Sequence, residues 1–542
     1  MSSHGPLPPL GSGQWPTWKQ AQWPEPGEPT RLQVWVYPGQ PSYASGEQAS
    51  FHLSSSADEV WLTVARDGVH PQVLTRLGPI RGRLHEVPAD VVSEGCRWPA
   101  SFHLQIPPEW PSGGYLLIAE GRRGDQWVSQ DGFFAIRAHP CVGARNPSIA
   151  LIASTYTWNA YNDWGGASSY TSPHATPGLG FAPRLSLQRP WSRGQIRCPV
   201  GAPRFGSIRQ PPIGWAVRHE WTEWAYANGY AHWSASAGWA RYDGLMCRWL
   251  ESQDIGFDLL TQWDLDRDPS ILQGYACVIT CGHDEYWSAM GRGVLAEFIA
   301  DGGNHARFGG NIMWQVRADP KAQTTECYKF CDDADPERDG PRDSRTGAFE
   351  GLAINRPPVT EFGGNATRGM YAGWGGASIR GVRGFIVYRP RHWAFDGIDA
   401  YYGDVIGAAT NLVSYEADGV DYTMVNGLPV PTGSDGTPPD LQILALAPTT
   451  AEEEDHGNPG SVFDPVDHDL AGIAKARYGT DTPEHRDLCR YGAAMITSMS
   501  TQGGAVFCAG STEWPASLDQ GDRACERITR NVLTRFTDPV AR

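Results

Sequence analysis

From Arg31 to Arg137 apolar and polar positions alternate in short runs: Leu32 to Val36, Ala49 to Leu53, Val60 to Ala65, Tyr115 to Glu120 and Gly132 to Ile136, punctuated by Pro, Gly, Ser and Asp. A period of two sends successive side chains to opposite faces of a strand, so residues 31–140 predict a small antiparallel β-sandwich. No ionisable cluster lies in this stretch, which reads as a sandwich packing on a catalytic part or presenting it to a partner. Residues 1–30 are rich in Pro, Gly and Trp and have no usable period. They predict an arm lying over another surface.

After Ala138-His-Pro-Cys-Val the texture changes. Ser148-Ile-Ala-Leu-Ile-Ala153 is a continuous apolar run suited to a strand buried on both faces. Leu245, Met246, Trp249 and Leu250 share one face of a helix near Tyr242 to Leu250. Phe257 to Leu260 and Tyr275 to Thr280 predict further strands, and Ala289 to Ala300 predicts a helix ended by Gly302-Gly303. Strand, helix, strand, strand, helix implies an α/β domain over residues 141–542, with a mostly parallel, doubly wound sheet covered by helices on both faces. Beyond Asn311, Trp, Tyr and Gly abound to about residue 450 and helices are hard to place. Gly504-Ala-Val-Phe-Cys508 and a helix from Asp522 to Phe536 complete the sheet from the C-terminal end.

Composition narrows the function. The chain has 542 residues, 40% hydrophobic and 19% charged, too long for one ordinary core and too apolar for extended disorder. Its 44 basic and 60 acidic groups give a formal charge of -16, which argues against nucleic acid or an anionic membrane as partner. No run approaches a membrane span, and Met1-Ser-Ser-His-Gly-Pro lacks the layout of a secretory signal, so a cytoplasmic protein is expected. Eleven cysteines, scattered from Cys96 to Cys525, do not form a disulfide framework. Cys327-x3-Cys331 has no second Cys or His pair at zinc-ribbon distance, and Asn365-Ala-Thr367 is a glycosylation sequon without meaning in the cytosol.

Candidate chemistry gathers at Cys281-Gly-His-Asp-Glu-Tyr-Trp287, directly after the apolar run Gly274 to Thr280. An imidazole, two carboxylates and a phenol crowd the exit of a predicted strand, where ligands bind in open α/β sheets. His283 and Glu285 stand two apart and share a face if this stretch is extended.

Four segments together resemble the large (beta) subunit of N,N-dimethylformamidase and its relatives: Thr155-Tyr-Thr-Trp-Asn-Ala-Tyr-Asn-Asp-Trp-Gly-Gly166; Gly282-His-Asp-Glu-Tyr-Trp-Ser288; Gly302-Gly-Asn with Gly309-Gly-Asn-Ile-Met-Trp314; and His392-Trp-Ala-Phe leading to Tyr415-Glu-Ala-Asp418. The resemblance implies an immunoglobulin-like domain followed by one similar to class I glutamine amidotransferases. It further implies one mononuclear Fe(III), without redox duty, bound by two tyrosines and one glutamate. Tyr161 would be one phenolate ligand and Glu285 the carboxylate; His283, Asn311 and Glu416 would be non-ligand catalytic residues. Phenolate and carboxylate are hard anionic donors that suit ferric iron, and open coordination positions would activate water or polarise an amide carbonyl. His283 would orient or deprotonate the water, Glu416 would pass its proton to the departing amine, and Asn311 would donate to the developing oxyanion. A small amide substrate, a homo-oligomer and a small helical companion subunit are further implications.

The chain departs from that family at one position. The family pattern carries Arg-Pro-Tyr, with the tyrosine as second phenolate ligand, where this chain has Leu187-Gln-Arg-Pro-Trp191. Indole does not replace phenolate as a donor. Another residue takes its place, with Tyr170 and Tyr156 nearest in sequence, or the iron is held more weakly, or the chemistry is altered. Asn311 also reads as a turn residue with positive φ. Two other functions compete: a thiol-dependent amidotransferase-like enzyme using Cys281 or Cys277, and a non-catalytic binder of a sugar or small ligand, favoured by the 23 tryptophans.

Overall fold

A computed structural model describes residues 30–138, 145–170, 181–203, 224–225, 228–230, 233, 236–329, 331–369, 383–450 and 467–538. The arm expected over residues 1–30 lies outside them except for its last residue. The alternating segments fold into two sheets. Val34–Pro38, Gln48–Ser55 and Ala100–Gln105 form a three-stranded sheet, and Ser42–Ala44, Gln126–Arg137, Gly113–Arg123, Glu59–Asp67 and Gln72–Arg81 pair in that order as a five-stranded one. Val36, Phe51, Leu62, Leu117 and Phe134 fill the space between them. The far face of the five-stranded sheet is buried as well: Leu116, Phe133 and Ala135 join the core that contains Trp158 and Trp239.

The second region is organised by a nine-stranded sheet. Its strands are β1 (Ile149–Ala153), β2 (Asp258–Thr261), β3 (Cys277–His283), β4 (Asn304–Gly310), β5 (Phe385–Val387), β6 (Val405–Ile406), β7 (Gln442–Thr450), β8 (Tyr491–Ser500) and β9 (Ala505–Cys508). Across the sheet they run β2-β1-β3-β4-β9-β8-β7-β5-β6. The pairings from β2 to β9 are parallel. Those from β9 to β6 are antiparallel. The sheet is therefore mixed rather than mostly parallel. Only Thr501-Gln-Gly-Gly504 separates β8 from β9, and Thr501 and Gly504 close that link by a backbone hydrogen bond of 2.7 Å. So short a connection cannot make a crossover.

Helices cover both faces of the parallel half. Four are used below: α1 (Thr155–Tyr161), α2 (Gly244–Ser252), α3 (Ala289–Ala300) and α4 (Arg523–Thr537). Ile149, Leu151 and Ala153 of β1 meet Met246 and Leu250 of α2 and Ile528 and Val532 of α4. Ala150 and Ile152 face the other way, into the layer with Val294, Leu295 and Ile299 of α3. A strand covered on both sides has no polar face to show, which is why β1 reads as unbroken apolar sequence. Between β1 and β3 the strand order reverses, since β1 is followed outward to β2 and β3 onward to β4. At such a switch point the loops leave in opposite directions and open a crevice beyond the carboxyl ends of the strands. No helix among the described residues is long and apolar enough to cross a membrane.

Candidate active site

The crevice between β1 and β3 receives α1 from one strand and the segment His283-Asp-Glu285 from the other. The start of α1 is pinned by acceptors from elsewhere. Asp243 accepts from the Ser154 amide at 3.0 Å and from the Trp158 indole at 3.0 Å, and Gln262 accepts from the Tyr156 amide at 2.8 Å. Asp243 ends a π-helical turn, Trp239–Asp243, that leads into α2. With its start fixed, α1 presents Tyr161 to the crevice, while the Tyr156 hydroxyl is engaged by Asp266. On β3, Gly282 has φ +63°, a left-handed conformation, and a Cβ there would stand 2.2 Å from Cβ of Tyr242. Only glycine lets β3 turn there and hand His283 to the crevice.

Asn311 and Glu416 arrive from two further segments. Asn311 follows β4 with φ +63°. It is thus both the left-handed turn residue and a group facing the site, its Nδ2 lying 3.3 Å from His283 Nε2. The Glu416 carbonyl accepts from the Thr512 amide at 3.1 Å, laying the strip Tyr415 to Asp418 across the end of β9. Gly310 permits this approach, because a Cβ at that position would lie 2.8 Å from Thr512 N and 2.9 Å from the Glu416 carbonyl oxygen.

All five candidate residues, Tyr161, His283, Glu285, Asn311 and Glu416, are brought together and buried. The Tyr161 hydroxyl donates to Glu285 Oε2 at 3.1 Å. His283 Nε2 lies 3.3 Å from that same oxygen and 2.5 Å from Glu416 Oε2. The His283 Nδ1–H donates to the Ser236 carbonyl at 2.7 Å, which leaves Nε2 as the nitrogen facing the crevice. A ring nitrogen and a carboxylate oxygen at 2.5 Å attract only with a proton between them. Burial opposes charge on His283, but Glu416 and Glu285 outweigh it and hold its pKa well above the ordinary histidine value. Burial likewise raises Glu416. Burial pulls Glu285 upward too, yet the His283 contact prevails and lowers it. Burial, then the Glu285 charge, keeps the Tyr161 phenol well above its usual range.

Tyr170, named from the sequence with Tyr156 as a stand-in for the missing phenolate, reaches the site, and so do Trp314 and Lys329, which were not singled out for it. Trp314 donates its indole N–H to Glu285 Oε1 at 2.6 Å. Tyr170 donates to Glu285 Oε2 at 2.6 Å and stacks on Tyr161 with ring centroids 4.1 Å apart. Lys329 places Nζ 3.4 Å from the centroid of the Tyr170 ring. Beneath these lies a buried charge network: Arg307 of β4 binds Asp284 through Nε at 3.1 Å and through a second nitrogen at 2.5 Å, and also binds Asp418. Trp314 stood inside a quoted motif, and Arg307 lies in the buried strand β4, where a charge needs an acidic partner. Lys329 carried no signal in the sequence.

Trp191 is not at the crevice. It lies edge-on to Trp158 at 6.0 Å, near Phe133, Leu187 and Thr155 in the seam facing the sandwich, and its carbonyl accepts from Gln130 at 3.0 Å. Cys277 and Cys281 are buried in the core, and burial pushes the Cys281 thiol well above its usual value. None of the described cysteines forms a disulfide.

With this geometry in place, comparison with known proteins gives one family. A family model described as N,N-dimethylformamidase beta subunit-like, C-terminal, matches residues 66–527. The chain belongs to that family. The N,N-dimethylformamidase beta subunit of Paracoccus aminophilus is 26% identical over 481 residues, covering 82% of this chain and 55% of the relative. The beta subunit from Alcaligenes sp is 25% identical over the same extent. The chain thus spans about half the length of these curated relatives of the dimethylformamidase family. Among solved structures, a family 123 glycoside hydrolase from Clostridium perfringens aligns over 24% of this chain with 11% identity and a TM-score of 0.12, too low to carry an argument.

Proposed function

We propose that this chain is an iron(III)-dependent amidohydrolase that cleaves a small N-substituted amide of the formamide type, such as N,N-dimethylformamide, to acid and amine. The observation that carries the reading is the convergence at the β1/β3 crevice of phenol oxygens on Glu285 with the His283–Glu416 pair beside them. The donor set suits the metal: carboxylate and phenol oxygens are hard ligands. Glu416 Oε2 is buried against the His283 ring nitrogen at 2.5 Å. Among the described residues no trio of His, Cys, Asp or Glu is arranged to hold a metal ion, so a metal here would require the phenols. Tyr161 and Glu285 would hold it. Bound there, iron(III) would supply Lewis acidity toward an amide carbonyl and a water molecule.

The chain's own groups carry the proton traffic. With Nδ1–H committed to Ser236 and Nε2 holding the proton it shares with Glu416, His283 orients the water, and the Glu416 carboxylate takes a proton from that water as its oxygen bonds to the carbonyl carbon. Asn311, beside Nε2, donates to the carbonyl oxygen as it gains charge. The C–N bond then breaks, and the proton shared by His283 and Glu416 passes to the departing nitrogen, giving amine and carboxylic acid. Burial excludes bulk water from these contacts and strengthens each of them. The names of the curated relatives as beta subunits support a companion subunit and an oligomer. The strand order β2-β1-β3-β4 supports the amidotransferase-like reading of the α/β part, and the sandwich of three and five strands supports the immunoglobulin-like one.

The thiol-dependent alternative is disfavoured by two core-buried cysteines, and the sugar-binding one by Trp191, which offers no open face for stacking. Assay of the purified chain for amine release from N-substituted formamides, alongside its iron content, tests the proposal. Glu285→Ala is expected to lose both metal and turnover. His283→Ala is expected to keep metal and lose about 10²–10⁴-fold in kcat. Equal iron in both variants, or full activity in either, would refute these roles.

A further inference from the structure

The departure at Trp191 leaves the iron reading one oxygen donor short, and the structure offers few candidates. Trp191 sits in the seam against Trp158 and brings no oxygen donor to the crevice. Tyr156 is turned to Asp266. The Tyr242 hydroxyl donates to Glu513 Oε1 at 2.8 Å. Tyr415 packs edge-on against His283 with ring centroids 5.6 Å apart, and its hydroxyl bonds Ser236. Among the described residues the phenols donating to Glu285 are Tyr161 and Tyr170, both to the same Oε2, at 3.1 and 2.6 Å.

We infer that Tyr170 is the second phenol ligand of the site, in place of the family's tyrosine, and that Tyr286 and Lys329 support it. This assignment rests on the iron reading above. Stacking of the two rings at 4.1 Å aims both hydroxyls at one carboxylate oxygen, so three oxygen donors border a single point. The Tyr286 hydroxyl donates to the Tyr170 oxygen at 2.8 Å, a bond that persists and strengthens when that oxygen bears charge. Lys329 lies over the same ring, 3.4 Å from its centroid, where an ammonium stabilises electron density in the ring. Tyr286 directly follows Glu285 in sequence, so the supporting hydroxyl and the carboxylate are fixed by one piece of backbone. Such outer partners orient ligands and tune a metal. The relocation also explains why Trp191 is free to serve as packing between the sandwich and α1.

The test uses the full chain as purified, with iron content, visible absorption and resonance Raman spectra as readouts independent of turnover. Wild type is expected to contain iron and to show a tyrosinate-to-iron charge-transfer band with vibrations from two tyrosinate environments. Tyr170→Phe is expected to lose one of those environments and to bind iron roughly 10-fold or more weakly. Tyr286→Phe, which keeps both ligands, is expected to retain iron and shift the band. Trp191→Phe is expected to leave band and iron content as in wild type. A wild-type band unchanged in Tyr170→Phe overturns the assignment while leaving the iron reading intact. If Tyr170→Phe does not fold, an unshifted band in Tyr286→Phe overturns it instead. Wild-type protein with neither iron nor band overturns the iron reading and this assignment together.

Discussion

Two acidic residues illustrate how burial divides labour at the site. Glu416 is buried against His283, with Asn311 as a further hydrogen-bond partner, and its contact with the ring nitrogen places it to carry the proton of the pair. Glu416→Gln is expected to leave iron content unchanged and to lower kcat by about 10²–10⁴-fold, with little change in KM. Steady-state kinetics that instead show a KM effect alone would assign Glu416 to substrate binding. Asp243 pins α1, and burial pushes its carboxyl up to about 7 from an ordinary 3.8. Its folded value is the higher one, so the protonated form stabilises the fold below the unfolded value, and that stabilisation disappears as pH rises through about 7. Urea midpoints measured from pH 4.5 to 7.5 should fall with pH in wild type, by up to about 1.4 kcal/mol per pH unit from this group, and more shallowly in Asp243→Asn. Parallel slopes would remove Asp243 from the account. At this scale the sequence was readable where chemistry was local: His283 and Glu285 lie two apart in a strand exit, and Asn311 follows a pair of glycines. Tyr170 could be placed only by folding, because nothing in Tyr170 itself distinguishes a stacked donor from any other loop tyrosine.

At the scale of elements, the site is an assembly of loop segments held by one arginine. Arg307 reaches Asp284, between His283 and Glu285, and Asp418, two residues after Glu416. Asp418 Oδ1 in turn accepts from the amide of Ile312, next to Asn311, at 3.1 Å. One buried guanidinium thereby sets the spacing of the three segments that bear the proposed catalytic groups. Breaking a buried ion pair strands the remaining charge, so Asp418→Ala should cost about 3–5 kcal/mol of unfolding free energy. It should also cost more turnover than a surface change of equal stability effect, as calorimetry and kinetics on the same preparation can compare. The parallel strands β1, β2 and β3 were legible because both of their faces are covered, leaving continuous apolar runs, whereas β4, Asn304-His-Ala-Arg-Phe-Gly-Gly310, carries no such run and was not. Nor was the antiparallel half. In β8, Ala493-Ala-Met-Ile496 is built from residues that favour helices as readily as strands, and only its neighbours β7 and β9 make it a strand.

Across the whole molecule, the sandwich is part of the support of the site rather than an appendage. Tyr115-Leu-Leu-Ile118 and Phe133-Phe-Ala-Ile136 are continuous apolar runs inside segments that otherwise alternate, the same signature that marked β1 as covered on both faces. Their second face meets the α/β part. Phe133 packs edge-on to Trp158 of α1 at 5.3 Å and against Trp239 at 4.7 Å, and Trp158 precedes Tyr161 by one helical turn. Polar links run alongside: the Trp239 indole donates to Asp67 at 2.5 Å, Arg248 pairs with Asp67 at 3.0 Å, and Arg66 pairs with Glu251. A change in the sandwich should therefore be felt at the crevice. Phe133→Ala would open a cavity beneath Trp158 at a cost of about 3–5 kcal/mol, and the loosened α1 should lower iron content with no donor atom altered. Phe102→Ala, on the opposite sheet of the sandwich, should destabilise the protein without that loss of metal. Equal iron in both variants at matched folded fraction would mean that α1 holds Tyr161 in place without help from the sandwich.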